Sequence, residues 1–291
     1  MRLATLRTGD GTRAVRVDSA SGTAVEIGEW PDLGDLLRQP DWEKLASEAD
    51  GRVRMLADLA SDAWAPVVPR PGKIFCVGLN YQAHILEMGR ELPTHPTLFA
   101  KFADALIGAG DEILIPRDVA GSVDWEGELA VVVGRTARFA TGAAADGAIA
   151  GFTVMNDVTV REYQYRTTQW LQGKTFESST PLGPVMVTPD ELPAHARLTT
   201  FVSGARRQSA STAGLVFDAA ALIAYISRIV TLHPGDVIAT GTPAGVGQAS
   251  APPDYLVDGE QVVVSIEGIG ALRNKLRIVD PAWQSTARTR A

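Results

Sequence analysis

Residues 124–134 carry the feature that most restricts the fold, because two glutamates there lead into a short apolar run that ends at a glycine. The run 129–133 is rich in β-branched residues and predicts a strand that is buried on both faces. Glu126 and Glu128 are two positions apart, so strand geometry directs both carboxylates to the same side. Two like charges there repel each other unless a cation lies between them. The pattern alone fits two ordinary surface acids at a solvated strand end equally well.

The composition excludes several classes of protein. A chain of 291 residues that is 45% hydrophobic predicts one large domain with an appendage, or two domains. The formal charge is −7 and no basic cluster is present, so we expect no nucleic-acid partner. Residues 1–8 do not resemble a signal peptide, and the longest apolar segment, 219–232, is too short to span a membrane. We therefore expect a soluble cytoplasmic protein, in which the single cysteine, Cys76, is a small buried hydrophobe.

Residues 1–66 are predicted to form a small N-terminal α+β module. Short alternating strands come first, and residues 42–60 then have helical spacing. Prolines at positions 66, 69 and 71 make a stiff connection that marks the boundary. The module contains no constellation of titratable residues, so we expect it to assist folding or dimerisation. Residues 67–280 are predicted to be the main domain, and residues 281–291 a flexible tail.

Strands predominate after residue 73, with short helical segments between them. The segment 82–88 is predicted to be helical, which brings His84 and Glu87 onto one face. A histidine beside a carboxylate is the arrangement of an oriented general base. Taken alone, however, this spacing more often corresponds to an ion pair on the protein surface. A second helical segment, 160–169, brings Arg161 and Gln164 onto one face. The segment 181–184 is predicted to be a turn.

Three carboxylates fall at predicted strand ends: Glu126, Glu128 and Asp157. An all-oxygen site suits Mg²⁺ or Mn²⁺, with water and substrate oxygens completing the coordination. Zinc is disfavoured, because no histidine or cysteine is close to these acids in the sequence. The spacing does not by itself prove that Asp157 reaches the other two. The glycine-rich loop 241–247 lacks the ending of a phosphate-binding loop, so nucleotide binding is not supported.

Over nearly all of residues 73–278 the sequence resembles the fumarylacetoacetate hydrolase family. The motifs that carry the resemblance are GLNYQAHILEM at 78–88, DWEGEL at 124–129, NDVTVR at 156–161, GKTF at 173–176, PLGP at 181–184 and GDVIATGTP at 235–243. Several independent motifs in the same order make the match specific. The resemblance implies a mixed α/β fold with a rolled β-structure as the catalytic domain, and it implies a homodimer.

The resemblance also assigns roles to individual residues. It implies metal ligands at Glu126, Glu128 and Asp157, a catalytic dyad at His84 and Glu87, an active-site lysine at Lys174, and substrate contacts at Arg161, Gln164 and Thr242. Lys101 and Gln208 match positions of the family as well, without a firm role. The N-terminal module is shared by only part of the family and does not indicate a substrate.

These residues favour cleavage of a C–C bond in an acylpyruvate. The enolate of a 2-oxo acid is stabilised when a divalent ion binds its oxygens, and Lys174 adds positive charge nearby. His84, oriented by Glu87, can activate a water that attacks a carbonyl two carbons away, which leaves pyruvate enolate and a free acid. We therefore expect a metal-dependent hydrolase of 2,4-diketo acids. The family resemblance implies substrates from aromatic catabolism such as fumarylpyruvate, and the residues do not indicate which acyl group the substrate carries.

Three alternatives remain open at this stage. An oxaloacetate decarboxylase and an isomerase of an unsaturated 2-hydroxy-diacid would use the same site. A decarboxylase needs no attacking water, so the pair His84 and Glu87 favours hydrolysis. A non-catalytic protein that binds small acids would keep the metal but would not need this pair.

Overall fold

The computed structural model describes residues 1–87 and 91–280, without the side chains of His84 and Glu87. The predicted tail, 281–291, lies outside the described residues. The strands are β1 (Arg2–Thr8), β2 (Gly11–Asp18), β3 (Thr23–Glu26), β4 (Val53–Met55), β5 (Ile74–Gly78), β6 (Thr97–Lys101), β7 (Leu106–Ile107), β8 (Glu112–Pro116), β9 (Val123–Asp124), β10 (Gly127–Val133), β11 (Ile149–Asn156), β12 (Thr159–Val160), β13 (Thr180–Val187), β14 (Arg197–Val202), β15 (Ala205–Ser211), β16 (Val237–Ala239), β17 (Gln261–Ile266) and β18 (Gly270–Val279). The α-helices are α1 (Leu33–Leu37), α2 (Trp42–Ser47), α3 (Gln82–Glu87), α4 (Ala143–Asp146), α5 (Arg161–Gln164), α6 (Leu171–Lys174) and α7 (Ala219–Ile229).

Two large sheets dominate the described part of the chain. The larger sheet has the strand order β4-β3-β2-β1-β13-β11-β10-β16-β5-β6, and β7 pairs with β13 beside this path. The smaller sheet has the order β15-β14-β17-β18-β8, and β9 pairs with β12 separately. Both large sheets combine parallel and antiparallel pairs, and the helices are short. This architecture confirms the predicted mixed α/β fold.

The strand β10 lies in the centre of the larger sheet and is buried at every position. It pairs with β11 on one side and with β16 on the other. Leu129 belongs to a core cluster that also contains Leu198 and Val264 of the smaller sheet, whereas Ala130 and Val132 pack into a second cluster. The strand is covered on both faces, as its continuous apolar run predicted.

The ends of four strands meet at one edge of the larger sheet. Because β10 is antiparallel to β11, Gly127 at its start lies opposite Asn156 at the end of β11. The strand β10 is also antiparallel to β16, and Ala130 pairs with Ala239. The strand β16 runs parallel to β5. The start of β10 and the ends of β5, β11 and β16 therefore lie close together.

The N-terminal residues extend the larger sheet, because β1 pairs with β13. The hydroxyl of Thr5 donates a hydrogen bond to the carbonyl of Val67 at 2.8 Å, across the predicted boundary. The division at residue 66 stays a prediction. No helix in the described ranges is both long and apolar enough to cross a membrane.

The predicted helix over residues 42–60 is wrong beyond Ser47. The helix α2 ends there, and β4 follows and pairs with β3. Arg54 on β4 forms an ion pair with Glu26 at 2.7 Å. At Gly51, a Cβ atom would lie 2.6 Å from the carbonyl oxygen of Glu26, so the chain passes very close to β3. Pairing with the sheet thus overrides the local helical spacing.

The predicted helix over residues 160–169 is also too long, since α5 covers only Arg161–Gln164. The backbone of Gly173 in α6 packs directly on Gln164, where a Cβ atom would lie 2.4 Å from the Gln164 nitrogen. Two short helices in contact therefore replace one longer helix.

The predicted turn at 181–184 lies inside strand β13 (Thr180–Val187). Pro181 pairs with Ile107 of β7, and Leu182 pairs with Met155 of β11. The register between β11 and β13 shifts between Phe152 and Val154, opposite the part of β13 that contains Pro184.

Candidate active site

The three predicted metal ligands, Glu126, Glu128 and Asp157, are buried together at the edge where the four strand ends meet. Each offers a carboxylate oxygen, and these oxygens all lie within 4.8 Å of one another. The backbone N–H of Asp157 donates to the carbonyl of Glu126 at 2.8 Å, and the N–H of Glu126 donates to Asn156 Oδ1 at 3.0 Å. The pairing of β10 with β11 therefore brings Asp157 to the two glutamates, which spacing alone left open.

Three buried cations surround these carboxylates. Lys174 Nζ lies 2.6 Å from Glu126 Oε2 and 2.8 Å from Asp157 Oδ2. Lys101 Nζ lies 2.8 Å from Asp157 Oδ1 and also donates to the carbonyl of Lys174. Arg161 Nη1 lies 2.8 Å from Glu126 Oε1. Lys101 therefore supports both an acidic residue and the helix that carries Lys174.

Burial and neighbouring charges shift the pKa values of the residues in this cluster in different directions. Burial, together with the neighbouring charges of Asp157 and Glu126, raises the pKa of Glu128 well above its ordinary value. Burial also opposes ionisation of Asp157, but Lys101 and Lys174 outweigh it and lower the pKa of Asp157. For Lys174, burial opposes the ammonium form, and the charges of Asp157 and Glu126 reverse this effect and raise the pKa. A further cation beside Glu128 would therefore be favourable.

The residues of this cluster fit a hard divalent cation. Their donor atoms are carboxylate oxygens, which Mg²⁺ and Mn²⁺ prefer over nitrogen or sulfur. In the described part of the chain, Glu128 has no ion-pair partner and accepts one hydrogen bond, from the N–H of Gly241 at 2.8 Å. A bound cation would remove the repulsion among the three acids.

The predicted substrate contacts lie next to the carboxylates. Arg161 and Gln164 share a face of α5, and Arg161 Nη1 donates to Gln164 Oε1 at 2.8 Å. The hydroxyl of Thr242 donates to the carbonyl of Gly127 at 2.9 Å and accepts from Gln208 Nε2 at 2.8 Å. Gln208 also accepts the N–H of Gly127 at 3.0 Å. Gln208 and Thr242 thus fix the start of β10.

A cleft of about 420 Å³ opens above these residues. Its polar part includes Glu126, Glu128, Lys174, Arg161, Gln164 and Thr242, and its apolar wall includes Val77, Leu79, Phe99 and Trp170. The rings of Phe99 and Trp170 meet edge to face, with centroids 5.5 Å apart. A cleft with a charged floor and an apolar wall suits a small organic acid.

Phe99 and Trp170 were not identified from the sequence, because no local pattern marks either aromatic ring as part of a cleft. Asp124 belongs to the acidic motif, but no role was predicted for it. The sequence assigns no role to Lys101 and Gln208. In the structure Lys101 pairs with Asp157, and Gln208 binds the backbone of Gly127, between the two glutamates.

The side chains of His84 and Glu87 lie outside the described residues, so the predicted dyad stays a prediction. The start of α3, which carries both residues, is fixed by Asn80. The Asn80 side-chain amide donates to the carbonyls of Thr240 at 2.8 Å and Phe217 at 2.9 Å. The helix therefore begins beside the end of β16, close to the carboxylate cluster.

Comparisons with known proteins match the part of the chain that carries this site. The family model of the fumarylacetoacetate (FAA) hydrolase C-terminal domain matches residues 73–277. The chain is 44% identical over 216 residues to the human mitochondrial oxaloacetate tautomerase FAHD2A, a match that covers 73% of this chain and 68% of that protein. It is 38% identical over 214 residues to the oxaloacetate tautomerase YisK of Bacillus subtilis, a match that covers 72% of this chain and 71% of that protein.

A solved structure extends the likeness to nearly the whole chain. The 5-carboxymethyl-2-hydroxymuconate delta-isomerase from Mycobacterium smegmatis superimposes with a TM-score of 0.79 at 34% identity, over 96% of this chain and 99% of that one. The N-terminal strands therefore have counterparts in a solved relative. Motif order, carboxylate cluster, fold and sequence identity lead to one conclusion: this chain belongs to the fumarylacetoacetate hydrolase family.

Proposed function

We propose that this chain catalyses proton transfer at C3 of a small 2-oxo acid, and that oxaloacetate is its substrate. The observation that carries the proposal is the buried cluster of Glu126, Glu128 and Asp157 beside Lys174. Both glutamates and the lysine line a cleft sized for a small acid. Tautomerases, decarboxylases and isomerases of such acids all need to stabilise an enolate, although a decarboxylase forms it by loss of CO2 and the other two by loss of a proton. The names of two relatives, both oxaloacetate tautomerases, support this substrate.

The three acidic residues would hold Mg²⁺ or Mn²⁺. When bound, such an ion supplies Lewis-acid stabilisation of negative charge on the 2-oxo oxygen. Lys174 adds a fixed positive charge at the same place, because Glu126 and Asp157 hold its ammonium group by direct ion pairs. The ammonium group of Lys174 therefore does not have to move when the enolate forms.

Other side chains bind and orient the acid. Arg161 and Gln164 line the cleft as hydrogen-bonding groups, so the substrate carboxylate is proposed to bind beside them. Val77, Leu79 and Trp170 form an apolar wall that excludes water from the reacting carbon. His84, oriented by Glu87, is proposed to move the proton at C3, on the basis of the sequence motif.

The decisive experiment follows enol-oxaloacetate spectroscopically as it converts to the keto form. The metal-loaded protein is expected to accelerate this conversion well beyond the spontaneous rate. Chelation should abolish the acceleration, and added Mg²⁺ or Mn²⁺ should restore it. A metal-loaded protein that leaves the spontaneous rate unchanged would contradict the proposal. A separate assay for pyruvate distinguishes tautomerisation from decarboxylation.

Hydrolysis of an acylpyruvate is the second candidate. It is favoured by the position of α3, which carries His84 and Glu87 and begins beside the cluster. The same preparation is therefore tested with acylpyruvates for release of pyruvate. If pyruvate is released, His84→Ala should lower that rate by roughly 10²–10⁴-fold, the usual effect of losing a general base. Efficient release together with no effect on enol-oxaloacetate would favour the hydrolase.

A further inference from the structure

Asp124 is a fully buried acid to which the proposed chemistry gives no role. Its Oδ2 atom accepts a hydrogen bond from Arg161 Nε at 2.8 Å and lies 2.7 Å from Arg161 Nη2. Two nitrogens on one edge of the guanidinium are therefore held by one carboxylate. Such paired contacts fix the plane of an arginine as well as its position.

The remaining nitrogen of Arg161 faces the carboxylate cluster. Nη1 lies 2.8 Å from Glu126 Oε1 and donates to Gln164 Oε1 at 2.8 Å. Because the guanidinium is planar and rigid, the pairing with Asp124 on one edge sets the direction of Nη1 on the other. Asp124 thus determines how Arg161 is presented to the cleft without lining the cleft itself.

Asp124 also holds the loop that follows β16. Its Oδ1 accepts the backbone N–H of Gly247 at 2.7 Å, and its Oδ2 accepts that of Gln248 at 2.9 Å. At Gly247 a Cβ atom would lie 1.8 Å from the carbonyl oxygen of Asp254 and 2.9 Å from Asp124 Oδ1, so the close approach requires glycine. Val246, Gln248 and Ala249 of this loop line the cleft.

One carboxylate therefore connects two sides of the cleft. Neither Arg161 nor the loop can move away without leaving a buried charge short of partners. An uncompensated charge of this kind is strongly unfavourable. The arrangement keeps the two sides together in the absence of substrate as well.

We propose that Asp124 is a positioning residue that holds Arg161 and the loop 246–249 in a single arrangement around the bound 2-oxo acid. The identity of that acid rests on the proposed function. The coupling between Arg161 and the loop does not, because it is built from contacts within the chain.

The variant Asp124→Asn tests this role, because asparagine keeps the shape but removes the charge and replaces one acceptor oxygen with a donor. The metal-loaded variant is expected to stay folded and to raise the KM for oxaloacetate about tenfold or more, with kcat within about threefold. Backbone hydrogen exchange in residues 245–249 should become faster. In the wild type, oxalate with Mg²⁺ should slow exchange in these residues, and in the variant this protection should be largely lost.

Asp236→Asn is the matched control. Asp236 is equally buried, pairs with Lys73 Nζ at 2.8 Å and accepts the backbone N–H of His233 at 2.8 Å, away from the cleft. This variant should lose stability but keep the wild-type KM and loop protection. A wild-type KM in Asp124→Asn, or an equal rise in KM in both variants, would overturn the proposal. If the wild type does not convert oxaloacetate, the proposed function fails. The role of Asp124 is then judged from loop protection by oxalate alone: loss of protection in Asp124→Asn supports it, and unchanged protection contradicts it.

Discussion

Glu128 is the acid of the cluster whose ionisation the protein opposes most clearly. Its neutral counterpart, glutamine, keeps the shape and can still accept the N–H of Gly241. We therefore expect Glu128→Gln to fold normally, to bind Mn²⁺ at least about 10–100-fold more weakly, and to lose most of the activity toward oxaloacetate. Titration with Mn²⁺ and the enol-oxaloacetate assay measure the two effects.

Glu162→Gln is the control for this variant, because Glu162 is close in sequence to Arg161 but exposed, and it pairs with Arg166. It should keep wild-type metal affinity and activity. Undiminished Mn²⁺ affinity in Glu128→Gln would remove Glu128 from the metal site.

The raised pKa of Glu128 also predicts how the stability of the metal-free protein depends on pH. The Glu128 carboxyl holds its proton more tightly in the folded state than in the unfolded state. This acid therefore makes folding less favourable as the pH rises above 4.5, the ordinary pKa of a glutamate. Glu128→Gln lacks that effect. Denaturant unfolding without metal, between about pH 5 and pH 8, should show a stability advantage of the variant that grows with pH. A difference that stays constant over this range would contradict the assigned pKa direction.

At the scale of elements, the site depends on how the end of β5 meets the segment before α6. At Gly78 a Cβ atom would lie 2.4 Å from Cζ3 of Trp170. Gly78→Ala should therefore push Trp170 out of the apolar wall and lower kcat/KM for oxaloacetate about tenfold, with a modest loss of stability. Steady-state kinetics and thermal unfolding give the two values.

The matched control is Gly121→Ala, because a Cβ atom there has no neighbour within 4 Å among the described residues. This variant should have wild-type kinetics. Wild-type kinetics in Gly78→Ala as well would show that the position of Trp170 does not matter for turnover.

The same elements show how far sequence reasoning reaches. The apolar run of β10 and the acids at its start are a local pattern, and the structure has both as predicted. The approach of Asp157 to Glu126 depends on antiparallel pairing of β10 with β11, which no spacing encodes. The ring of Trp170 reaches the cleft through contacts with Gly78 and Phe99, which are far from it in the chain. Tertiary contact, rather than local pattern, determines these positions.

At the scale of the whole molecule, the assembly state stays a prediction. The family resemblance implies a homodimer, so light scattering coupled to size-exclusion chromatography should give twice the mass of the chain. A mass equal to that of one chain at micromolar concentration would contradict this expectation.

Metal binding should also stabilise the molecule as a whole, because the three acids join the start of β10 to the end of β11 in the centre of the larger sheet. A ligand that binds only the folded state adds about 2.7 kcal/mol to the free energy of unfolding when its concentration is a hundred times its Kd. In a chain of 291 residues we therefore expect Tm to rise by about 4–5 °C. Thermal unfolding with increasing Mn²⁺ measures the rise. The same titration of Glu128→Gln should need a much higher Mn²⁺ concentration for an equal shift. Equal shifts at equal concentrations in both proteins would mean that the stabilising ion binds elsewhere.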